Sequence, residues 1–308
     1  MSATLPRCQI LPLPDQQVSF QIDRVERTRW HFGTSSPRPF FYPLRGPGGA
    51  SLTRMGHPGA ANHDHHRSVW FGHHQVLGLD FWSGHTMAIV RQSSWLVYED
   101  GDEEAVMAVR LGWHDGHDPA PLMEQDLIAT VRPGESSDWY LELQAVFRPK
   151  SATLELGQTN FGMLAVRVAK SISAHFGGGQ ICDSEGRVDE PAIFGQRARW
   201  MDYSGPEATV ASRVAGITYF DHPSNPDHPA AWHVREDGWM GASICRTQPV
   251  VLTTSTPLSL RYLLHVHAGA HDRNRAEKIF AGFDQSRPVE IVRATQKHRQ
   301  FEIRRSPS

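Results

Sequence analysis

The stretch NHDHHRSVWFGHH, residues 62–74, carries five imidazoles in its last twelve positions: His63, His65 and His66 before an arginine, then His73 and His74 after an aromatic pair. With 18 histidines in 308 residues, twelve positions hold about 0.7 by chance, so the excess asks for a local reason. Neutral imidazoles coordinate divalent transition ions, and Asp64 or Asp80 could complete such a shell. The spacing leaves the metal open, since neither HExxH nor a cupin-like His-x-His with its glutamate is present. An imidazole also exchanges protons near neutral pH, and Arg67, next to His66, disfavours imidazolium there and can hold an oxyanion or carboxylate. Polar loop positions are the plainer account of His57, His63, His74 and His85, which leaves His65, His66 and His73 as candidates for chemistry. In an extended chain His63 and His65 point one way and His66 the other, so all three share a site only if the backbone turns.

A second constellation lies in FDHPSNPDHPAAWHVREDGW, residues 220–239, where Asp221, His222, Asn225, Trp232, His233 and Arg235 stand among prolines. Proline restricts the backbone and lowers the entropy lost when polar groups are fixed, as a binding loop requires. A rigid structural turn explains Asp221 and Asp227 equally well. DYSG supplies Asp202 and Tyr203, and RPFFYP supplies Arg38 and Tyr42. In YLLHVHAG the alternation puts His265 and His267 on one strand face and Leu264 and Val266 on the other.

The elements that must position these groups read as strands. Short runs rich in Val, Ile, Phe, Tyr, Trp and Thr are broken by Gly, Pro, Asn and Asp. Residues 87–115 form two strands joined at EDGDEE, and LIATVRPGESSDWYLELQAVFRP repeats the pattern with a turn at RPGESSD, so successive hairpins are expected. FGMLAVRVAKSI alternates as a strand, a helix being the alternative, and HDRNRAEKIFAGFDQ reads as a helix capped by Asp272 with Ala276, Ile279 and Phe280 on one face. Many strands and few helices imply two large antiparallel sheets packed face to face as an all-β sandwich. The expected division is an N-terminal extension over 1–15, one domain over 16–300 and a tail over 301–308.

Composition bounds the partners. The formal charge of −2 gives no electrostatic reason to expect nucleic acid or an anionic membrane. No apolar run approaches the length of a membrane span, and the mean hydropathy is −0.43. Prolines interrupt the first residues where a signal peptide needs an apolar stretch. Three widely spaced cysteines, Cys8, Cys182 and Cys245, form no disulfide framework, so a reducing cytoplasm is expected.

Seven motifs, RPFFYPL, DHHRSVWFGH, LGLDFW, FGMLAVRVA, FGQRARWMDYSG, GITYFDHPSNPDHPAAWHVREDGW and YLLHVHAG, resemble in order and spacing a soluble bacterial family that carries the label methane oxygenase PmoA. The likeness covers roughly residues 38–268. The label does not transfer, because the methane monooxygenase subunit of that name is an integral membrane protein and this chain has no comparable apolar segment. The resemblance implies a large β-sandwich similar to the galactose-mutarotase supersandwich and a place in carbohydrate catabolism. One departure is that His65 stands where the family pattern has a proline, which alters the loop before His66.

The function expected is therefore acid/base proton transfer on a sugar or keto-sugar derivative: mutarotation, epimerisation or β-elimination. His65 or His66 and His233 are the acid/base candidates, with Asp202 orienting one of them. Arg38, Tyr42, Arg67, Trp70, His73, Trp82, Tyr203, His222, Asn225, Trp232, Arg235 and His267 are the candidate substrate contacts. No cofactor is required in this reading, a divalent metal is admissible, and the partner is a small sugar. The alternatives are a non-catalytic carbohydrate-binding module and a metal-dependent oxygenase or hydrolase.

Overall fold

Period-two alternation sorts the strands into faces. In Leu258–Ala268, Leu264 and Val266 enter the central core while His265 and His267 leave on the other side, as the sequence pattern requires. The computed structural model describes residues 5–305 apart from Pro58 and Ala211. One eight-stranded sheet runs, in spatial order, Cys8–Leu13, Gln17–Ile22, Val25–His31, Phe40–Phe41, Val69–His73, Gly162–Arg167, Trp239–Ser243 and Ala231–Arg235. The other runs Gln180–Asp183, Trp200–Pro206, Val214–Asp221, Leu258–Ala268, Trp139–Pro149, Met123–Pro133, Ala105–His114 and Ile89–Glu99. The result is the expected all-β sandwich of two large antiparallel sheets. Both long hairpins form, with Glu99 and Ala105 flanking the acidic turn and Pro133 and Trp139 the second.

The core lies between the sheets. Phe20, Trp30, Phe71, Leu164, Trp232 and Met240 from the first meet Met107, Leu127, Leu143, Tyr203, Tyr219 and Leu264 from the second. Each such side chain contributes roughly 1.5–3 kcal/mol by leaving water. The helix Arg273–Gln285 packs on the outer face of the second sheet. Asp272 caps it by accepting from the Arg275 amide at 3.1 Å, and Ala276, Phe280 and Phe283 bury against Trp200, Phe220 and Leu263.

The expected chain ends need correction. Cys8–Leu13, assigned to an extension over 1–15, pairs along its whole length with Gln17–Ile22, because Cys8 and Ile10 are apolar and reach the core. Phe301–Arg305, assigned to a tail, pairs with Val289–Arg293, and Phe301 and Ile303 pack against a small cluster on the outer face of the second sheet. Among the described residues no helix is long and apolar enough to cross a membrane.

Candidate functional site

The outer face of the first sheet is aromatic at its centre. Across four neighbouring strands the register sets Trp70, Ala165, Gly241 and His233 in one row, and Arg167, Trp239 and Arg235 in the next. Ala165 and Gly241 are small, so the Trp239 ring packs close over this row. Trp82, on the loop after Val69–His73, closes over Trp70 and Trp239 with ring centroids 5.6 and 5.3 Å away. Both terminal nitrogens of the buried Arg38 donate to the Trp82 carbonyl, which ties that loop down.

The histidines reach this floor because the chain turns. A 3-10 turn at Ala61–His63 is followed by a bond from the His66 amide to the His63 carbonyl at 3.1 Å. Ser68 then takes a left-handed conformation, φ 63°, before the strand begins. Consequently the His63, His65 and His66 rings gather, with His65 and His66 centroids 4.3 Å apart and His63 and His66 5.2 Å apart. A cavity of about 370 Å³ results, lined by Asn62, His63, His65, His66, His74, Trp82, Ser83, Phe161, Arg167, His233, Arg235, Asp237 and Trp239. Both polar constellations of the sequence therefore open on one pocket. Trp239 spans them, its centroid 4.9 Å from the His66 ring and 5.9 Å from that of His233.

The electrostatics favour neutral imidazoles. Burial, aided by the charges of Arg38 and Arg235 respectively, pushes His65 and His233 down to about 4. Burial pushes His66 further down, and the charge acting with it is that of Arg167, not the adjacent Arg67. The His65 Nδ1–H donates to the Asn62 carbonyl at 3.1 Å, which leaves Nε2 with its lone pair. Arg167 grips Asp237, and Asp237 also meets His57 Nε2 at 2.9 Å. Although burial opposes it, the Arg167 hydrogen bonds and charge hold the Asp237 carboxyl down at about 2. At this pocket His66 Nδ1, His233 Nδ1 and Trp239 Nε1 are buried with no hydrogen-bond partner, a condition that folded proteins rarely leave without water or ligand.

Of the residues expected at the site, His65, His66, Trp82, His233 and Arg235 line the cavity; the others do not. Asp202, expected to orient a catalytic histidine, lies on the outer face of the second sheet, on the far side of the core, bonded to Thr218 and His267. His267 goes with it. Tyr203 is a core residue whose hydroxyl donates to the Glu236 carbonyl at 2.8 Å, and Trp232 is another, donating to the Ala198 carbonyl at 2.8 Å. His222 and Asn225 fasten the proline-rich loop to Arg261. His73 is fully buried and bonded to the Gly157 carbonyl. Tyr42 opens on a separate small cleft with Arg29 and Arg45. Arg67 is outside the lining, and Trp70 supports the floor from beneath. Sequence reasoning missed Phe161, Arg167, Asp237 and Trp239, though FGMLAVRVA and HVREDGW contain them.

Clefts of about 570 and 730 Å³ border the second sheet, but neither gathers several imidazoles over aromatic rings. Among the described residues, the set of three donor atoms compact enough for a metal is Cys182, Asp202 and His271, outside this pocket.

A model of a family of unknown function (DUF6807) matches residues 17–281. No curated protein matches the chain. Among solved structures, the 4-alpha-glucanotransferase from Thermococcus litoralis is similar at a TM-score of 0.30 and 8% identity over 86% of this chain. The chain spans 40% of that enzyme's length.

Proposed function

The chain belongs to this family of unknown function, and we propose that its histidine-lined pocket binds a sugar or sugar derivative and transfers protons on it. The observation that carries this reading is the convergence of His65, His66 and His233 with Trp82, Phe161 and Trp239 around one cavity of about 370 Å³. That volume suits a small ligand, for which pockets run about 300–1,000 Å³. Aromatic faces accept the apolar side of a sugar ring, and the His65 Nε2 left free by the Nδ1–H bond to the Asn62 carbonyl offers an acceptor to its hydroxyls. Neutral imidazoles act as bases: one removes a proton from a hydroxyl or from the carbon beside a carbonyl, and the imidazolium formed returns it elsewhere. Arg235 and the Arg167–Asp237 pair supply the fixed charge at the edge.

A non-catalytic binding module is the second reading. It is favoured by one fact: the imidazole hydrogen-bonded to a carboxylate near the pocket is His57, at 2.9 Å from Asp237 and outside the lining, whereas the lining His74 stands 3.9 Å from Asp80. Incubation with a panel of aldoses, ketoses and keto-glycosides, followed by NMR for anomer exchange, epimers and elimination products, separates the two. Product formation that His66→Ala abolishes supports the enzyme; saturable binding with no turnover of any bound sugar supports the module.

A further inference from the structure

The outer face of the second sheet carries a group that the pocket does not use. Register places Cys182 directly opposite Asp202, and Asp202 opposite Thr218. After Leu258–Ala268 the chain turns at Gly269, φ 80°, and brings His271 over the same spot, its ring 5.0 Å from that of Trp200. One donor atom each from Cys182, Asp202 and His271 lies within 4.8 Å of the others. Asp202 is fully buried and Cys182 nearly so, whereas the His271 side chain is 20% exposed.

The polar accounting there does not close. Thr218 donates to Asp202 Oδ2 at 2.6 Å and His267 Nε2 meets the same oxygen at 2.9 Å. Asp202 Oδ1 has no partner, and neither has His271 Nδ1, which stands 3.6 Å from Oδ2, beyond hydrogen-bond range. A buried carboxylate oxygen and a buried imidazole nitrogen left bare beside a thiol cost more than a satisfied set does.

We propose that Cys182 Sγ, Asp202 and His271 Nδ1 bind a zinc ion that fastens the 269–272 turn, and so the start of the Arg273–Gln285 helix, to the second sheet. Mixed sulfur, nitrogen and oxygen donors select a borderline-soft ion over magnesium or calcium. Tetrahedral zinc with bonds of about 2.0–2.3 Å holds its donors roughly 3.3–3.7 Å apart; His271 Nδ1 already stands 3.6 Å from an Asp202 oxygen, and the group as a whole, within 4.8 Å, closes by about an ångström at most. Thr218 and His267, bonded to Asp202 Oδ2, hold the carboxylate in place for the ion as outer partners do. The fourth position opens to solvent beside His271 and takes water. Binding expels the Cys182 thiol proton to solvent as the Zn–S bond forms.

The test uses the full chain without a histidine tag, stripped by a chelator and titrated with Zn²⁺ by calorimetry, then with Co²⁺ in the spectrophotometer. The wild-type protein should take up one more equivalent of zinc than Cys182→Ser and show a thiolate-to-cobalt charge-transfer band that Cys182→Ser lacks. His271→Ala, at a partly exposed turn, keeps the fold and should weaken zinc at this site by more than about 100-fold, beyond what loss of an outer partner costs. It should also lose the rise in melting temperature that zinc gives the wild type. A wild-type cobalt spectrum with no thiolate band overturns the proposal. So does equal zinc uptake by wild type and Cys182→Ser, which would place the ion among the pocket histidines.

Discussion

Arg167 and Asp237, 70 residues apart in sequence, are joined by two parallel hydrogen bonds of 2.7 and 2.9 Å at the edge of the histidine pocket. The guanidinium is 1% exposed and the carboxylate 28%. Arg167 ends the Gly162–Arg167 strand and Asp237 sits in the turn between Ala231–Arg235 and Trp239–Ser243, so the pair pins that turn to the sheet where His57 and Trp239 also sit. Breaking such a pair from one side leaves a charge stranded in the core region, which costs about 3–5 kcal/mol. Asp237→Asn should therefore destabilise the protein by about 3 kcal/mol, at the low end because the carboxylate is partly wet. An unfolding free energy from urea titration that falls by less than about 1 kcal/mol at unchanged slope would show that the pair contributes little.

The pH dependence of stability follows from the buried rings. His65, His73, His222 and His233 are each lowered to about 4, by burial first of all, and His66 lies lower still. In the unfolded chain these groups titrate near 6.5, so below that value the unfolded state binds more protons than the folded one. Their contribution is complete above about pH 6.5 and is lost as pH falls to about 4. Across that window unfolding should take up as many as about five protons, read from the slope of unfolding free energy against pH. A flat profile between those limits would mean the rings are hydrated. A further loss belongs below about pH 4, as the Asp237 carboxyl is protonated on the way down to about 2.

The sandwich was legible because alternation is local. Leu264 and Val266 against His265 and His267 announce a two-faced strand, and Asp272 announces a helix start. The histidine cluster was legible as an excess of one residue type. What alternation cannot tell is which of two outer faces a polar residue joins. Asp202 in DYSG and His233 in the proline-rich stretch are both expected at one site, yet they lie on strands on opposite sides of the core. Arg167 and Trp239 escaped notice because their importance comes from pairing across strands far apart in sequence. The expected extension and tail failed for a related reason, since Cys8–Leu13 and Phe301–Arg305 gain their partners only through hairpins.

Phe161 tests whether the aromatic wall binds ligand. The residue is 38% exposed, and its ring stands 5.6 Å from that of Trp82 and 5.1 Å from that of His233. Because so much of it is already in water, Phe161→Ala should cost about 1 kcal/mol of stability or less, while loss of a stacking face should weaken a bound sugar about tenfold. Calorimetric titration of wild type and variant with the same sugar measures it. Unchanged affinity would remove Phe161 from the binding surface.

Substitutions at His66 and His233 separate chemistry from architecture. Both rings are almost fully buried, yet Nδ1 of each lacks a partner. Truncation therefore deletes no protein hydrogen bond at that atom, and the stability lost is that of packing against Trp239 and, for His233, of its contacts with Phe161, Phe194 and the Asn160 backbone. If the rings carry protons, His66→Ala and His233→Ala should each lower turnover by about 10²–10⁴ with the melting transition little changed by comparison. His85→Ala is the control: its ring lies 6.2 Å from that of His65 but outside the cavity lining, so its turnover should match the wild type. The profile of kcat/KM against pH sharpens the assignment. A base held at about 4, as His65 and His233 are, gives a rate that is level through neutrality and falls only on the acid side of about pH 5. Turnover that survives both substitutions in folded protein, or an acid limb centred near 6.5, would mean that a different group moves the proton and that these histidines serve recognition alone.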